Sequence, residues 1–212
     1  MRRAKLIGLC GRSGSGKGYV CRKFAKFGIP SIDTDAVYRS LTGPSETISP
    51  CMQELKERFG ETVIAPDHSL NRRALAAIVF APDGEKARLD LNRITHRHIL
   101  EATLRLADRM AEEGAEVILI DAPLLFESGF DTICAQTVCV IASTETSVAR
   151  IIDRDGITRE EALRRLASQI PSEELRSRCD YAILNELVSP DLEEQISAVA
   201  EEIRKRNGGS LA

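Results

Sequence analysis

A chain of 212 residues, 43% hydrophobic and 29% charged, can enclose a core of its own and is too evenly mixed to be disordered or fibrous. Its net charge of −3 at pH 7 gives no general attraction to nucleic acid or an anionic membrane, so any bound anion must be captured by a local site. No apolar run approaches the ~18 residues of a membrane span, and Leu6–Cys10 is too short for a signal segment, which points to a cytoplasmic protein.

Five short, mostly apolar runs read as strands: Lys5–Cys10, Ile29–Asp33, Val117–Asp121, Thr137–Ile141 and Tyr181–Leu184. They are too short for helices and too continuous for half-exposed strands, and helical patterns lie between them. That is the pattern of an α/β fold with a five-stranded parallel sheet flanked by helices. Helix starts are signalled by Ser49-Pro50, by Ser189-Pro190, and by a capping box at Thr158-Arg159-Glu160-Glu161.

The second and third strands are separated by a long, predominantly helical interval, more than a crossover needs. Residues 40–113 therefore read as a helical insertion within a single domain. One long helix is expected inside 83–114, with Leu91, Ile94, His98, Ala102 and Leu106 on its buried stripe. The six cysteines (Cys10, Cys21, Cys51, Cys134, Cys139, Cys179) include no C-x-x-C pair and no zinc spacing, so they read as reduced core residues.

The chemistry begins directly after the first strand. "GRSGSGKG" fits G-x-x-x-x-G-K through Gly11, Gly16 and Lys17, with an amphipathic helix behind it. Glycines there let backbone N–H groups turn inward around a phosphate, and the following helix adds its positive end. Ser13, Gly14, Ser15, Gly16, Lys17 and Gly18 are the candidate ATP-phosphate ligands. Gly18 stands where the motif has a magnesium-binding hydroxyl, so Mg2+ is expected to rest on phosphate oxygens and on water-bridged carboxylates, Asp121 and the Asp33/Asp35 pair.

"IDTD" sets Asp33 and Asp35 at the carboxyl end of the second strand, where alternation turns both to one side. One of them can orient an acceptor hydroxyl and take its proton; the competing reading is a helix cap at Asp33 or Thr34. Asp121 ends "VILIDAP", the shape of a Walker B strand. The segment 146–172 reads as a lid. Arg150 and Arg154 precede its Asp-Gly turn and are placed to neutralise transferring charge, whereas Arg164 and Arg165 read as a solvated face. These residues leave open a mononucleotide kinase, because "GSGKG" also resembles the adenylate kinase loop, and a non-catalytic nucleotide sensor with a degenerate metal site. Both acids and the lid arginines weigh against the sensor.

Taken in order, "IGLCGRSGSGKG", "GIPSIDTDAVYR", "LNRRALAAIVF", "LNRITHRHI", "DAPLLFESG", "RDGITREEALRRLASQ" and "CDYAILN" resemble the dephospho-CoA kinase family over most of the chain. The resemblance implies a P-loop kinase fold with a helical substrate-binding insertion and an arginine-bearing lid. It implies transfer of the γ-phosphate of ATP, with Mg2+, to the ribose 3′-hydroxyl of the small-molecule substrate dephospho-CoA, with neither nucleic acid nor membrane as partner. Carried onto this sequence, Asp35 would be the base with Asp33 beside it, and Lys17, Arg150 and Arg154 would serve the transfer. Asn92, His96, Pro123, Leu124, Leu125 and Glu127 would face the substrate, with Asp180 and Asn185 near the adenine. Gly18-Tyr19 departs from the family's usual Ser-Thr, and Arg97 from the proline that usually follows the histidine.

Overall fold

The computed structural model describes residues 3–186 and 191–207. The expected cap at Ser189-Pro190 and residues 208–212 of the "NGGSLA" tail lie outside the described residues. The elements follow as β1 (Lys5–Gly11), α1 (Lys17–Lys26), β2 (Ser31–Asp33), α2 (Thr34–Thr42), α3 (Pro50–Phe59), α4 (Arg72–Val79) and α5 (Glu85–Glu112). Then come β3 (Val117–Asp121), β4 (Gln136–Ile141), α6 (Thr144–Asp155), α7 (Arg159–Ala167), α8 (Ser172–Arg178), β5 (Tyr181–Leu184) and α9 (Leu192–Arg206). The chain divides into two compact units, Met1–Ile32 with Ala107–Ala212, and Asp33–Leu106. Helix α5 contributes to both.

The first unit is built on a five-stranded sheet in the order β2-β3-β1-β4-β5. Strand β1 sits at its centre, running parallel to β3 on one side and to β4 on the other; β5 runs parallel to β4. Strands buried on both faces need apolar residues at every position, which is why these runs do not alternate. On one face Ile7, Leu9, Val117, Leu119, Val138, Val140 and Ile183 pack against Val20 and Phe24 of α1 and Ile196, Ala200 and Ile203 of α9. Each such large side chain, fully buried, contributes about 1.5–3 kcal/mol. On the other face Gly8 has no room for a side chain, since a Cβ there would come within 2.8 Å of Leu125 Cδ1. Leu125 is fully buried over it. Helices α6 and α7 form a hairpin with its own small core of Val148, Ile151, Ala162 and Leu166.

The second unit is helical, with Cys51, Met52, Leu55, Phe59, Val63, Leu70, Leu75, Val79, Ala87 and Ile94 as its core. Ser49 caps α3 as its sequence predicts, accepting the Met52 N–H with Pro50 in the first turn. Along α5, Ile94 and His98 are buried and Leu91, Ala102 and Leu106 half-buried, while Thr95, Ile99 and Thr103 widen the stripe. The helix is continuous through Arg97.

Three local expectations change. Strand β2 is shorter than Ile29–Asp33: Pro30 has no N–H for the ladder, although its carbonyl still accepts from Leu119 N at 2.8 Å. Asp35 is not in the strand but in the first turn of α2, because Asp33 caps that helix and ends the extended run. Alternation therefore does not relate the two carboxylates. The link between β3 and β4 holds no α-helix, only a short 3-10 turn at Phe130–Ile133. All six cysteines are unbridged. Among the described residues, no helix is long and apolar enough to cross a membrane.

Two stability measurements test this packing. Leu125→Ala empties the space over Gly8 and should cost about 2–5 kcal/mol in urea unfolding; a loss below about 1 kcal/mol would show that Leu125 does not close that face. Burial lowers the pKa of His96 below the ordinary 6.5, so its neutral form is the one the fold prefers. The unfolded chain then binds the proton more readily, and stability should fall as pH drops from about 6.5 through the lowered value. His96→Gln should flatten that part of the pH profile; an unchanged slope would contradict it.

Candidate active site

The phosphate loop connects β1 to α1, and its shape comes from backbone that only glycine adopts cheaply. Gly14 and Gly16 have φ of +76° and +85°. A Cβ on Gly14 would lie 2.4 Å from the Ser147 carbonyl oxygen, and one on Gly16 would lie 2.1 Å from Asn185 Nδ2. The loop is thus pressed against α6 and against the residue following β5. Helix α1 opens on Gly16 without a side-chain cap and without an acidic residue in its first turn. As leading groups of the helix, the Lys17 and Gly18 N–H have no intrahelical acceptor. An anion is the natural partner for such a terminus.

Carbonyl groups of the loop are held from behind. The guanidinium of Arg150 makes five hydrogen bonds: to the carbonyls of Gly14 (3.3 Å), Ser15 (3.3 Å), Asn185 (2.9 Å) and Glu186 (3.1 Å), and to Asn185 Oδ1 (3.3 Å). Asn185 Nδ2 donates to the Ser15 carbonyl at 2.8 Å. Arg150 is therefore a fixed brace of the loop and not the mobile lid cation its position in the sequence suggests. Arg154 has the more exposed head, in a two-pronged pair with Asp155 at 2.7 and 2.8 Å. Arg165 pairs with the same Asp155.

Lys17 Nζ is hydrogen-bonded to Asp121 Oδ1 at the carboxyl end of β3, and Cys21 Sγ donates to Asp121 Oδ2 at 3.2 Å. The ammonium and the Walker-B-like acid thus lie side by side. Ser15 Oγ and Arg12 Nε are buried with no hydrogen-bond partner, two polar atoms at the loop that a phosphate-bearing ligand would suit. No group of three or more His, Cys, Asp or Glu side chains suited to a metal ion occurs among the described residues. The donor set fits a cation carried in by phosphate oxygens and water, as Mg2+ is, with Asp121 as the nearby acid; it does not fit a protein-made cage.

In the second unit Asp33 has a defined task. Its Oδ1 accepts the N–H of Asp35 (2.8 Å) and of Ala36 (3.1 Å), and Arg39 Nη2 lies 3.4 Å from Oδ2. Asp33 is the cap of α2, the reading that competed with catalysis, and Asp35 stands in the first turn of that helix. On α5, Asn92 is exposed and His96 half-buried, four residues apart on one helix face. Arg97 Nη2 pairs with Glu54, and His98 Nε2 is 3.0 Å from the same carboxylate.

Two expected ligands are placed elsewhere. Leu125 faces the sheet and is fully buried, whereas the other residues of "PLLFE", Pro123, Leu124, Phe126 and Glu127, are half-buried or exposed. Asp180 precedes β5 and accepts from Thr137 N (2.7 Å) and Thr137 Oγ1 (2.9 Å) at the amino end of β4. Ligands of open parallel sheets sit at the opposite, carboxyl edge, where Asn185 lies; Asp180 ties strands together instead.

Three residues escaped the sequence reading. Gln169 Oε1 accepts the Ser13 N–H at 3.0 Å, and Arg12 Nη2 donates to the Leu166 carbonyl at 2.5 Å, so the end of α7 and the residues after it are fastened to the loop. Glu186 accepts from Ser143 N, Ser143 Oγ and Thr146 Oγ1 at the start of α6. Those bonds, the Thr146 hydroxyl foremost, hold its carboxyl below the usual range. The terminal glutamine of "RLASQ" was the available signal for the first; the other two are set only by tertiary placement.

Comparison with known proteins agrees with this geometry. The family model described as dephospho-CoA kinase matches residues 5–191. The chain is 34% identical over 200 residues to a dephospho-CoA kinase of Corynebacterium glutamicum, covering 94% of this chain and 98% of that one. It is 36% identical over 181 residues to one from Listeria monocytogenes, covering 85% and 88%. A crystal structure from Thermus thermophilus superposes with a TM-score of 0.74 at 32% identity, covering 95% of this chain and 98% of that one. A dephospho-CoA kinase from Campylobacter jejuni, at 22% identity and a TM-score of 0.59 over 95% and 98%, shares the fold. A loop built to hold phosphate, on this sheet and in this order of segments, has one reading: the chain belongs to the dephospho-CoA kinase family.

Proposed function

We propose that this protein transfers the γ-phosphate of ATP to the ribose 3′-hydroxyl of dephospho-CoA, forming CoA and ADP, the last step of coenzyme A synthesis. The observation that carries the reading is the left-handed glycine loop with its uncapped helix and Lys17, in a chain matched to that family from residue 5 to 191. Main-chain N–H groups of Ser13–Gly18 bind the phosphates, and Lys17 exchanges Asp121 for the β- and γ-oxygens. Asp121 is the carboxylate that would help to hold Mg2+ at the triphosphate, and the ion would supply neutralisation of the phosphate charge.

Asp35 orients the acceptor hydroxyl and receives its proton as the new P–O bond forms and ADP departs. Asp33 supports it by fixing the first turn of α2 through the Asp35 N–H. Arg154 supplies positive charge from the lid as it closes, and Arg150 keeps the loop carbonyls turned away from the phosphates. Asn92, His96, Pro123, Leu124 and Glu127 contact dephospho-CoA, and Asn185 borders the nucleotide. The same reading places the enzyme in the cytoplasm.

The assay is ADP and CoA formation from ATP and dephospho-CoA, with AMP, CMP and UMP as rival acceptors. Turnover of a mononucleotide and none of dephospho-CoA would overturn the assignment. Asp35→Asn should lower kcat by about 10²–10⁴-fold with a modest change in KM; near-wild-type turnover would remove Asp35 from the reaction. Gly18 offers a second test, since a Cβ there meets only Arg22 Nη1, at 3.7 Å. Gly18→Ser should therefore fold, gain about 0.5–1 kcal/mol from helix propensity, and saturate at lower Mg2+. An unchanged Mg2+ dependence would show that the hydroxyl is not what limits metal binding.

A further inference from the structure

Three thiols that the proposed reaction does not use meet on one face of the sheet. Cys10 of β1 and Cys139 of β4 are register partners, and both are buried. Cys179, the residue that closes α8, is half-buried and reaches solvent. Its sulfur lies 3.7 Å from that of Cys10. Cys139 Sγ is turned towards the Tyr181 carbonyl, at 3.5 Å. The group suits no metal ion, since no metal-binding cluster occurs among the described residues.

The three thiols are chemically unequal. The neighbouring Cys10 and Cys139 thiols, with Thr137, favour the Cys179 thiolate and lower its pKa; burial and Asp180 oppose this. Cys10 and Cys139 are pushed the other way, by the same contacts and by burial. The accessible member is thus the nucleophilic one, and its nearest sulfur neighbour is shielded from reagents.

We propose that Cys10 and Cys179 form a reversible disulfide when the protein meets a hydroperoxide, and that this bond slows turnover. The Cys179 thiolate attacks one peroxide oxygen, the O–O bond breaks, and hydroxide leaves and takes up a proton. The Cys179 sulfenic acid is then attacked by the Cys10 sulfur. The S–O bond breaks and a second water departs with the Cys10 proton. Two thiols and one hydrogen peroxide become one disulfide and two waters. The sulfurs must close from 3.7 Å to about 2.05 Å, a movement the end of a short helix can absorb.

The consequence follows from what each cysteine is attached to. Cys10 immediately precedes Gly11, the first glycine of the phosphate loop. Cys179 ends the segment that begins at Gln169, whose side chain holds the Ser13 N–H. For a phosphate oxygen to take that N–H, Gln169 has to withdraw. A covalent tie from 179 to 10 restrains the segment that must move.

The test combines intact mass, disulfide mapping and turnover, before and after stoichiometric hydrogen peroxide and again after dithiothreitol. The oxidised protein should be lighter by two hydrogens, with one linked peptide joining Cys10 to Cys179, and its turnover should fall about tenfold and recover on reduction. In Cys179→Ser both changes should vanish, whereas Cys10→Ser should leave Cys179 as a sulfenic acid that dimedone traps. Six alkylatable thiols after peroxide, a link between any other pair, or the expected link with turnover unaltered would each overturn the proposal. The turnover arm rests on the kinase reading above and the mass arm does not, so a reduced protein without kinase activity refutes that reading while the disulfide is still decided.

Discussion

Everything the site can do depends on which way a few peptide groups face. A phosphate is bound by N–H groups, so the carbonyls of the same peptides must point elsewhere and be satisfied there. Arg150 and Asn185 supply that satisfaction, gathering the Gly14 and Ser15 carbonyls behind the loop. Hydrogen bonds from a charged donor are worth about 1.5–3 kcal/mol each. Holding a residue with a side chain in the left-handed region costs about 1–2 kcal/mol. With glycine at 14 and 16 that second cost is small, so the brace can order the loop before any nucleotide arrives.

That order also explains how the α6–α7 hairpin is tied in. Helix α6 carries Arg150 and presents the Ser147 carbonyl to Gly14, so the hairpin grows from the same element that backs the loop. Its start is tied to the residue after Asn185 through Glu186, and its end returns to the loop through Gln169 and Arg12. Between these anchors lie Arg154 and the Asp155-Gly156 turn, where Gly156 closes α6 in the left-handed conformation.

The sequence made some of this legible. Glycines at fixed spacing after an apolar run announce a phosphate loop, because no other residue tolerates that backbone. Ser49 and Thr158 announce helix starts by chemistry confined to neighbours in the chain. It misled where a local pattern stood in for a tertiary fact. Asp33 and Asp35 alternate on paper, yet the first of them terminates the strand by capping. "PLLFE" reads as a contact string, yet Leu125 packs over Gly8, with the Cys134 sulfur beside it. Asp180 and Asn185 bracket one short strand, and a strand has two ends. Arg150 reads as a lid arginine because four of its five acceptors are main-chain carbonyls, which carry no signature in the sequence.

Positions 18 and 19, where the resemblance leads one to expect Ser-Thr, can be understood together. Both lie in the first turn of a helix that lacks a cap, where the loss of a hydroxyl and the propensity cost of glycine, about 1 kcal/mol, weaken the start of α1. Tyr19 provides an attachment that threonine is too short to make: its hydroxyl donates to Glu193 of α9 at 2.5 Å, and Lys23 pairs with the same carboxylate. Further along, Val20 and Phe24 bury against the sheet, and Ile196, Ala200 and Ile203 of α9 share that core. The helix is held by its flank, so its first residues need not be good helix formers or good caps. A terminus that does not have to stabilise itself is free to leave its N–H groups to an anion. Under the proposed function, Gly18 would leave the metal dependent on the phosphates it arrives with, and Asp121, the carboxylate paired with Lys17, would be the acid nearest to it.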